Sequence, residues 1–229
     1  MFAMTTPVSD VSLLIERGGY VMIPLLILSA ISLALILERA VFWFIVSSRS
    51  RPARLARLAG DLRIGDAAGA AKRVDGDGSV YGTLVRSLHD HGASDAVAME
   101  AIELARPRLD RFMVVLSTII TAAPLLGILG TVIGIIQSFE LLGEQTTLQD
   151  PADVAGGIAA ALLTTALGLI IALFTLFPYM LYRSCSNRAL GRMEMLIAAA
   201  QQGSATVKAD AKFATKEATP QPQSDLMKA

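Results

Sequence analysis

Two long hydrophobic segments, residues 112–139 and 154–182, contain no Asp, Glu, Lys, Arg or His. Each exceeds the roughly 20 apolar residues that cross a bilayer as a helix, so both are expected to span a membrane. A third candidate begins at Tyr20, where 18 uncharged residues run to Leu37 before Glu38, Arg39 and the apolar AVFWFIV. It is too long for the hydrophobic region of a cleavable signal peptide. The residues before it include Asp10 and Glu16 but one basic residue, Arg17, so it reads as a retained span. Composition agrees: 53% of residues are hydrophobic, 17% are charged, and the mean hydropathy is +0.54.

The formal net charge of zero conceals a segregation. Between the second and third spans lie Glu140, Glu144, Asp150 and Asp153 with no Lys or Arg, whereas Arg49, Arg51, Arg54, Arg57 and Arg63 follow the first span and Arg183, Arg188 and Arg192 follow the third. The positive-inside rule puts both basic flanks in the cytoplasm, giving an all-α membrane protein of three transmembrane helices with long cytoplasmic helical extensions, N-out/C-in. The expected organisation is a periplasmic amphipathic segment over 1–19, a first span over 20–46 and a cytoplasmic helical region over 47–111. A second span over 112–142, a periplasmic connector over 143–153 and a third span over 154–182 follow. A cytoplasmic helix over 183–202 and a disordered tail over 203–229 complete the chain. The single cysteine, Cys185, can form no internal disulfide.

Residues 47–111 hold eleven basic and nine acidic residues, a balance that argues against a nucleic-acid partner. Leu55, Leu58 and Leu62, and then Val80, Leu84, Val85 and Leu88, fall at helical spacing, with breaks expected at Gly65 and in the Asp75–Ser79 run. So short a region needs help to bury a core, either from extensions of the spans or from neighbouring subunits. Pro107 predicts a boundary or kink before the second span, and Pro24 is tolerated in the first turn of the first.

On a helical wheel, Ser117, Thr121, Thr131 and Ser138 of the second span share one arc beside a stripe of Gly127, Gly130 and Gly134. In the third span Gly157, Ala161, Thr164, Gly168, Ala172 and Thr175 cluster, with Thr165 at the margin. Small residues at this spacing let helices approach closely in lipid, and a membrane hydroxyl usually bonds back to its own helix. Hydroxyls repeated along both stripes also suit a polar lining. Proton relays need ionisable side chains, so any titrating group must come from another chain.

The run TAAPLLGILGTVIGIIQSF followed by GGIAAALLTTALGLIIAL resembles the MotA/TolQ/ExbB family of proton-channel subunits, and GGYVMIPLLILSAISLALILER resembles the first span of its ExbB-like members. The resemblance implies a bacterial inner-membrane, multi-pass protein that forms a homopentamer around a dimeric single-span partner of the ExbD/TolR/MotB type. The partner's membrane aspartate would carry the proton, and the ion-motive force would drive transport or another envelope process. It further implies that Thr131 and Thr165 line the ion path, with Ala123 and Pro124 in the pore-facing proline segment and Thr164, Ser138 and Thr121 as further candidates. Gly127, Gly130, Gly134, Gly157 and Gly168 are expected to serve helix packing. Ala160 stands where ExbB and TolQ carry a glutamate, Phe174 replaces an ExbB-type proline, and Pro178 falls where MotA-like members have theirs. Three spans also fall short of the count in flagellar MotA chains.

The spans hold no Asp pair, no Ser beside a base and no metal-ligating helix, so an intramembrane protease is not expected, nor any cofactor or metal. His89 and His91 flank Asp90 without a further ligand and read as a solvated loop. Glu38 and Arg39 read as interfacial anchors, and the Arg49–Arg57 run as a topological signal that could also meet anionic headgroups. The rival from another class is an oligomeric scaffold that packs through its glycines without conducting.

Overall fold

The computed structural model describes residues 19–49, 51–143 and 151–217, and every element in them is a helix. The helices are α1 (Met22–Arg49), α2 (Pro52–Arg63), α3 (Ala67–Arg73), α4 (Val80–His91), α5 (Asp95–Leu109), α6 (Met113–Gly143) and α7 (Pro151–Glu217). All but the last residue of the expected amphipathic segment over 1–19, most of the connector and the end of the tail lie outside the described residues. Among the described residues, three helices are long and apolar enough to cross a membrane: Met22–Ser48, Met113–Glu140 and a stretch within Ala155–Lys212.

The chain divides into two compact units. The first comprises residues up to Trp43 together with Asp110–Ser184. Its core is the meeting of α1, α6 and α7: Leu25, Ile119, Ala123 and Ile171 are buried together, with Val21, Leu28, Leu126 and Leu167 against them. The Tyr182 hydroxyl of α7 donates to the Ile36 carbonyl of α1 at 2.9 Å. Most other apolar side chains point outward, among them Leu33, Leu125, Ile128, Leu162, Phe174 and Phe177. A surface of that kind is solvated by lipid or by neighbouring subunits.

Arg39 is fully buried in this unit. Its guanidinium contacts Glu38 at 3.1 Å and lies 4.7 Å from the Phe42 ring centroid and 5.6 Å from that of Phe112, within cation–π range. Phe112 immediately precedes α6 and has a φ of +63°, a left-handed conformation that is costly for an aromatic residue. Its ring also receives the Arg111 guanidinium at 4.6 Å, so two cations flank the strained residue. Pro107 sits in the last turn of α5, and the helix ends just beyond it, with a turn at residues 110–112.

The second unit comprises Phe44–Leu109 and the residues from Cys185 on. Its short helices begin and end where the sequence carries capping chemistry. Asp66 accepts from the Gly69 amide at 2.8 Å to start α3, Ser79 accepts from the Gly82 amide at 3.3 Å to start α4, and Gly92 ends α4 at a φ of +82°. The leucines of the helical spacing, Leu55, Leu58, Leu62, Leu84 and Leu88, are all buried, together with Val80, Tyr81, Val85 and Leu109. The help that this small region needs comes from its own chain, since Met193, Leu196 and Ile197 of α7 are buried in the same unit. Arg63 donates to Gln202 at 3.2 Å and Gln201 to Asp95 at 2.8 Å.

Two expectations change. His89 and His91 are exposed in the last turn of α4 and do not lie in a loop. The segment after residue 202 remains helical to Glu217. Gly203 lies so close to the Leu62, Arg63 and Gly65 backbone that a Cβ there would be 2.8 Å from the Gly65 nitrogen and 3.0 Å from the Arg63 carbonyl. That contact anchors the start of a tail whose composition alone suggests disorder.

Candidate functional site: the seam between two uncharged spans

The glycine and hydroxyl stripes of α6 and α7 meet as an antiparallel zipper. Ala123 faces Gly168, Gly127 faces Thr164 and Thr165, Gly130 faces Thr164, Gly134 faces Ala161, and Ser138 faces Gly157. The order runs upward along α6 and downward along α7, as two helices of opposite direction require. At Gly127 a Cβ would lie 2.9 Å from both the Thr164 carbonyl oxygen and the Thr165 Cα, which are backbone atoms that cannot yield. Only glycine fits that crossing, and the close approach is what brings the threonines onto the facing helix.

Three hydroxyls converge on the Gly127 carbonyl. Thr165 Oγ1 donates to it at 2.8 Å, Thr164 Oγ1 lies 3.2 Å from it, and Thr131 Oγ1, one turn along α6, lies 3.5 Å from it. Thr131 and Thr165 also meet hydroxyl to hydroxyl at 3.2 Å. Each hydroxyl has one proton, and carbonyls close by can take them all. The Ile128 carbonyl lies 2.6 Å from the Thr131 hydroxyl, and the Ala161 carbonyl lies 2.7 Å from that of Thr164. With their protons committed, the hydroxyls retain oxygen lone pairs that can accept from a water, a hydronium or a partner's protonated acid.

Burial divides the expected residues into two groups. Thr164 is 1% exposed and Ser138 3%, and both face the seam, while Thr175 is fully buried. Ser138 donates to Gly134 and Thr175 to Ile171, both within their own helices. Thr131 and Thr165 are half-buried at the rim of the same seam, where one side of each is reachable from outside it. Thr121 is exposed and bonds to the Ser117 carbonyl at 2.9 Å. Pro124 is half-buried and cannot donate to the Ile120 carbonyl, whereas Ala123 beside it is fully buried in the core of the three spans. Of the five glycines expected to pack, all five abut the opposite helix.

The Gly127 carbonyl as the shared acceptor, and the stacking of Arg39 on Phe112, were not read from the sequence. Two adjacent threonines opposite a glycine and a threonine four residues apart are the signal for the first. The second carries no local signal, because 73 residues separate its partners.

A sequence model described as the MotA/TolQ/ExbB proton channel family matches residues 79–195. A putative biopolymer transport protein ExbB-like 3 from Synechocystis sp. is 36% identical over 174 residues, covering 73% of this chain and 82% of the relative. A putative ExbB-like 1 protein from the same organism is 33% identical, covering 76% and 71%. The Tol-Pal system protein TolQ of Pseudomonas aeruginosa is 39% identical over 99 residues, covering 42% and 38%. An all-α chain with three helices able to cross a membrane, two of them meeting at a charge-free glycine–threonine seam, is thus a multi-pass membrane protein. It belongs to the MotA/TolQ/ExbB proton channel family and resides, as its homologues do, in the inner membrane.

Proposed function

We propose that this chain is the channel subunit of an ion-motive-force-driven motor that energises biopolymer transport or another envelope process. It works as a homopentamer around a dimeric ExbD/TolR/MotB-like partner, oriented N-out/C-in. The observation that carries the reading is the Thr131–Thr165 hydroxyl pair over the Gly127 carbonyl, half-open at the rim of two spans whose uncharged segments hold no Asp, Glu, His, Lys or Arg. Hydroxyls can solvate a proton in transit but cannot hold one at neutral pH, so the acid must come from the partner's membrane aspartate. The ExbB and TolQ names of the relatives support a transport or envelope system. The exposed apolar faces of α1, α6 and α7 support assembly with further copies. In the proposed ring α6 and α7 are innermost and α1 lies toward lipid.

Co-purification in mild detergent, followed by mass measurement of the intact complex, tests this. A pentamer carrying a single-span chain with a membrane acid is expected. A monomer, or a ring lined by α1, overturns the reading, and a pentamer without any partner or proton flux would instead describe a non-conducting scaffold.

A further inference from the structure

The second unit contains an open cleft of about 450 Å³ lined by Arg51, Ala53, Arg54, Arg57, Leu58 and Arg73. We infer that this cleft is a binding site for a phosphate-bearing anion. It is independent of how the spans conduct.

The first argument is charge. Four guanidinium groups line the cleft, and two carboxylates answer them: Asp77 Oδ2 lies 2.9 Å from Arg54, and Asp61 pairs with Arg73. Arg51 and Arg57 have no acidic partner among the described residues. Four charges against two leave a local excess of positive charge in a concave site, which matches an anionic phosphate group, whether the singly charged diester of a lipid headgroup or a free phosphate. Arginine is the suited residue, since its planar fork of donors fits phosphate oxygens in pairs.

The second argument is preorganisation. Asp77 is buried, and while its Oδ2 holds Arg54 its Oδ1 accepts from the Ser79 amide at 2.9 Å. Arg86 braces the same turn by donating to the Val74 and Asp77 carbonyls, both at 2.9 Å. Arg54 is thereby fixed to the fold, Arg73 is tied to Asp61, and the exposed Arg51 and Arg57 are left to close on a ligand. Arg51 also occupies the N-cap of α2 without capping it, and Pro52 follows at its first position, so the positive end of a 12-residue helix joins the cleft.

Two sources of the phosphate group fit. Arg51 follows the apolar stretch Met22–Ser48 by three residues, within reach of an anionic lipid headgroup along the chain. A soluble phosphate compound has the same chemistry. The test uses the full-length protein in nanodiscs of phosphatidylcholine alone or mixed with phosphatidylglycerol, with thermal unfolding as the readout. Inorganic phosphate is titrated into the phosphatidylcholine discs against chloride at equal ionic strength. A saturable stabilisation by inorganic phosphate supports the inference with a soluble source, and stabilisation only in the phosphatidylglycerol discs supports it with a lipid source. In either case Arg51→Gln with Arg57→Gln must weaken the response at least about tenfold, which corresponds to roughly 1.4 kcal/mol of binding. Lys72→Gln, outside the cleft, must not. Both single variants are measured alongside, each expected to give part of the loss. No saturable response in either disc, or a response unchanged in the arginine variants, overturns the inference.

Discussion

Thr131 and Thr165 face each other hydroxyl to hydroxyl at 3.2 Å, one from each of the two spans that carry no charge. Thr165 donates a hydrogen bond to the Gly127 carbonyl at 2.8 Å, and Thr131 donates one to the Ile128 carbonyl at 2.6 Å. Both oxygens keep lone pairs directed away from those bonds, and both residues are half-buried. The pair can therefore accept a proton donor from a neighbouring chain without breaking its own hydrogen bonds.

Thr131→Ala and Thr165→Val are each expected to lower proton flux through the assembled complex by about tenfold, the effect of losing one hydrogen bond of roughly 1–1.5 kcal/mol to the moving charge. Flux in proteoliposomes containing chain and partner measures this, with the intact mass of the complex unchanged. Full flux in both variants would remove the hydroxyl pair from the ion path.

Thr164 should behave differently, although it is the nearest neighbour of Thr165 in sequence. Its hydroxyl is buried against Gly127 and Gly130 and bonds to Ala161 at 2.7 Å, so its role is to hold the seam. Thr164→Val is expected to leave flux per assembled complex unchanged while lowering thermal stability by about 0.5–1.5 kcal/mol, the range for a hydrogen bond in a membrane helix pair. Flux normalised to assembled complex separates the two outcomes.

The seam also predicts opposite signs for two glycines of the spans. Gly127→Ala would drive a Cβ into the Thr164 and Thr165 backbone and is expected to cost about 1–3 kcal/mol, with loss of assembly. A Cβ at Gly156 would meet nothing within 4 Å, so Gly156→Ala is expected to be neutral or to stabilise its helix by up to about 1 kcal/mol. Thermal unfolding of the two variants in one detergent decides it, and equal effects would contradict the zipper.

The spans were legible in the sequence because an apolar run free of charge has few other homes. The breaks in the region between the first two spans were legible as well, since Gly65 takes a φ of +83° and Asp77 and Ser79 cap and turn the chain where their types suggest. The division between Thr164 and Thr165 was only half legible: a helical wheel places one in the stripe and the other at its margin, but not which hydroxyl the opposite helix covers. The helix beyond residue 202 was not legible, because its Ala, Lys and Gln content permits helix and coil alike. The choice is made by Gly203 against the Leu62 and Arg63 carbonyls, about 140 residues away in sequence. Arg39 read as a lipid anchor, yet its stacking on a residue in left-handed conformation depends wholly on tertiary structure.

Arg39 and Phe112 are expected to be energetically coupled. Lysine keeps the charge at position 39 but loses the planar stack, and leucine keeps apolar bulk at position 112 but loses the ring. A double-mutant cycle of Arg39→Lys and Phe112→Leu, read by thermal unfolding, should give a coupling of about 0.5–2 kcal/mol, the range for a desolvated cation–π contact. Additive effects would reduce the contact to simple proximity.

The orientation can be read through the single cysteine. Cys185 is half-buried, three residues beyond Tyr182, where the third uncharged segment ends, and the Arg188 guanidinium lies 3.2 Å from its sulfur. If the basic flanks of the first and third spans are cytoplasmic, a membrane-impermeant maleimide should leave Cys185 unmodified in spheroplasts and modify it in inverted membrane vesicles. Gln145→Cys in a Cys185→Ser background moves the only thiol to the acidic connector and should reverse both results. The reversal matters because Cys185 alone could resist labelling through burial, whereas a pair of sites with opposite sidedness can only report the direction in which the chain crosses the bilayer.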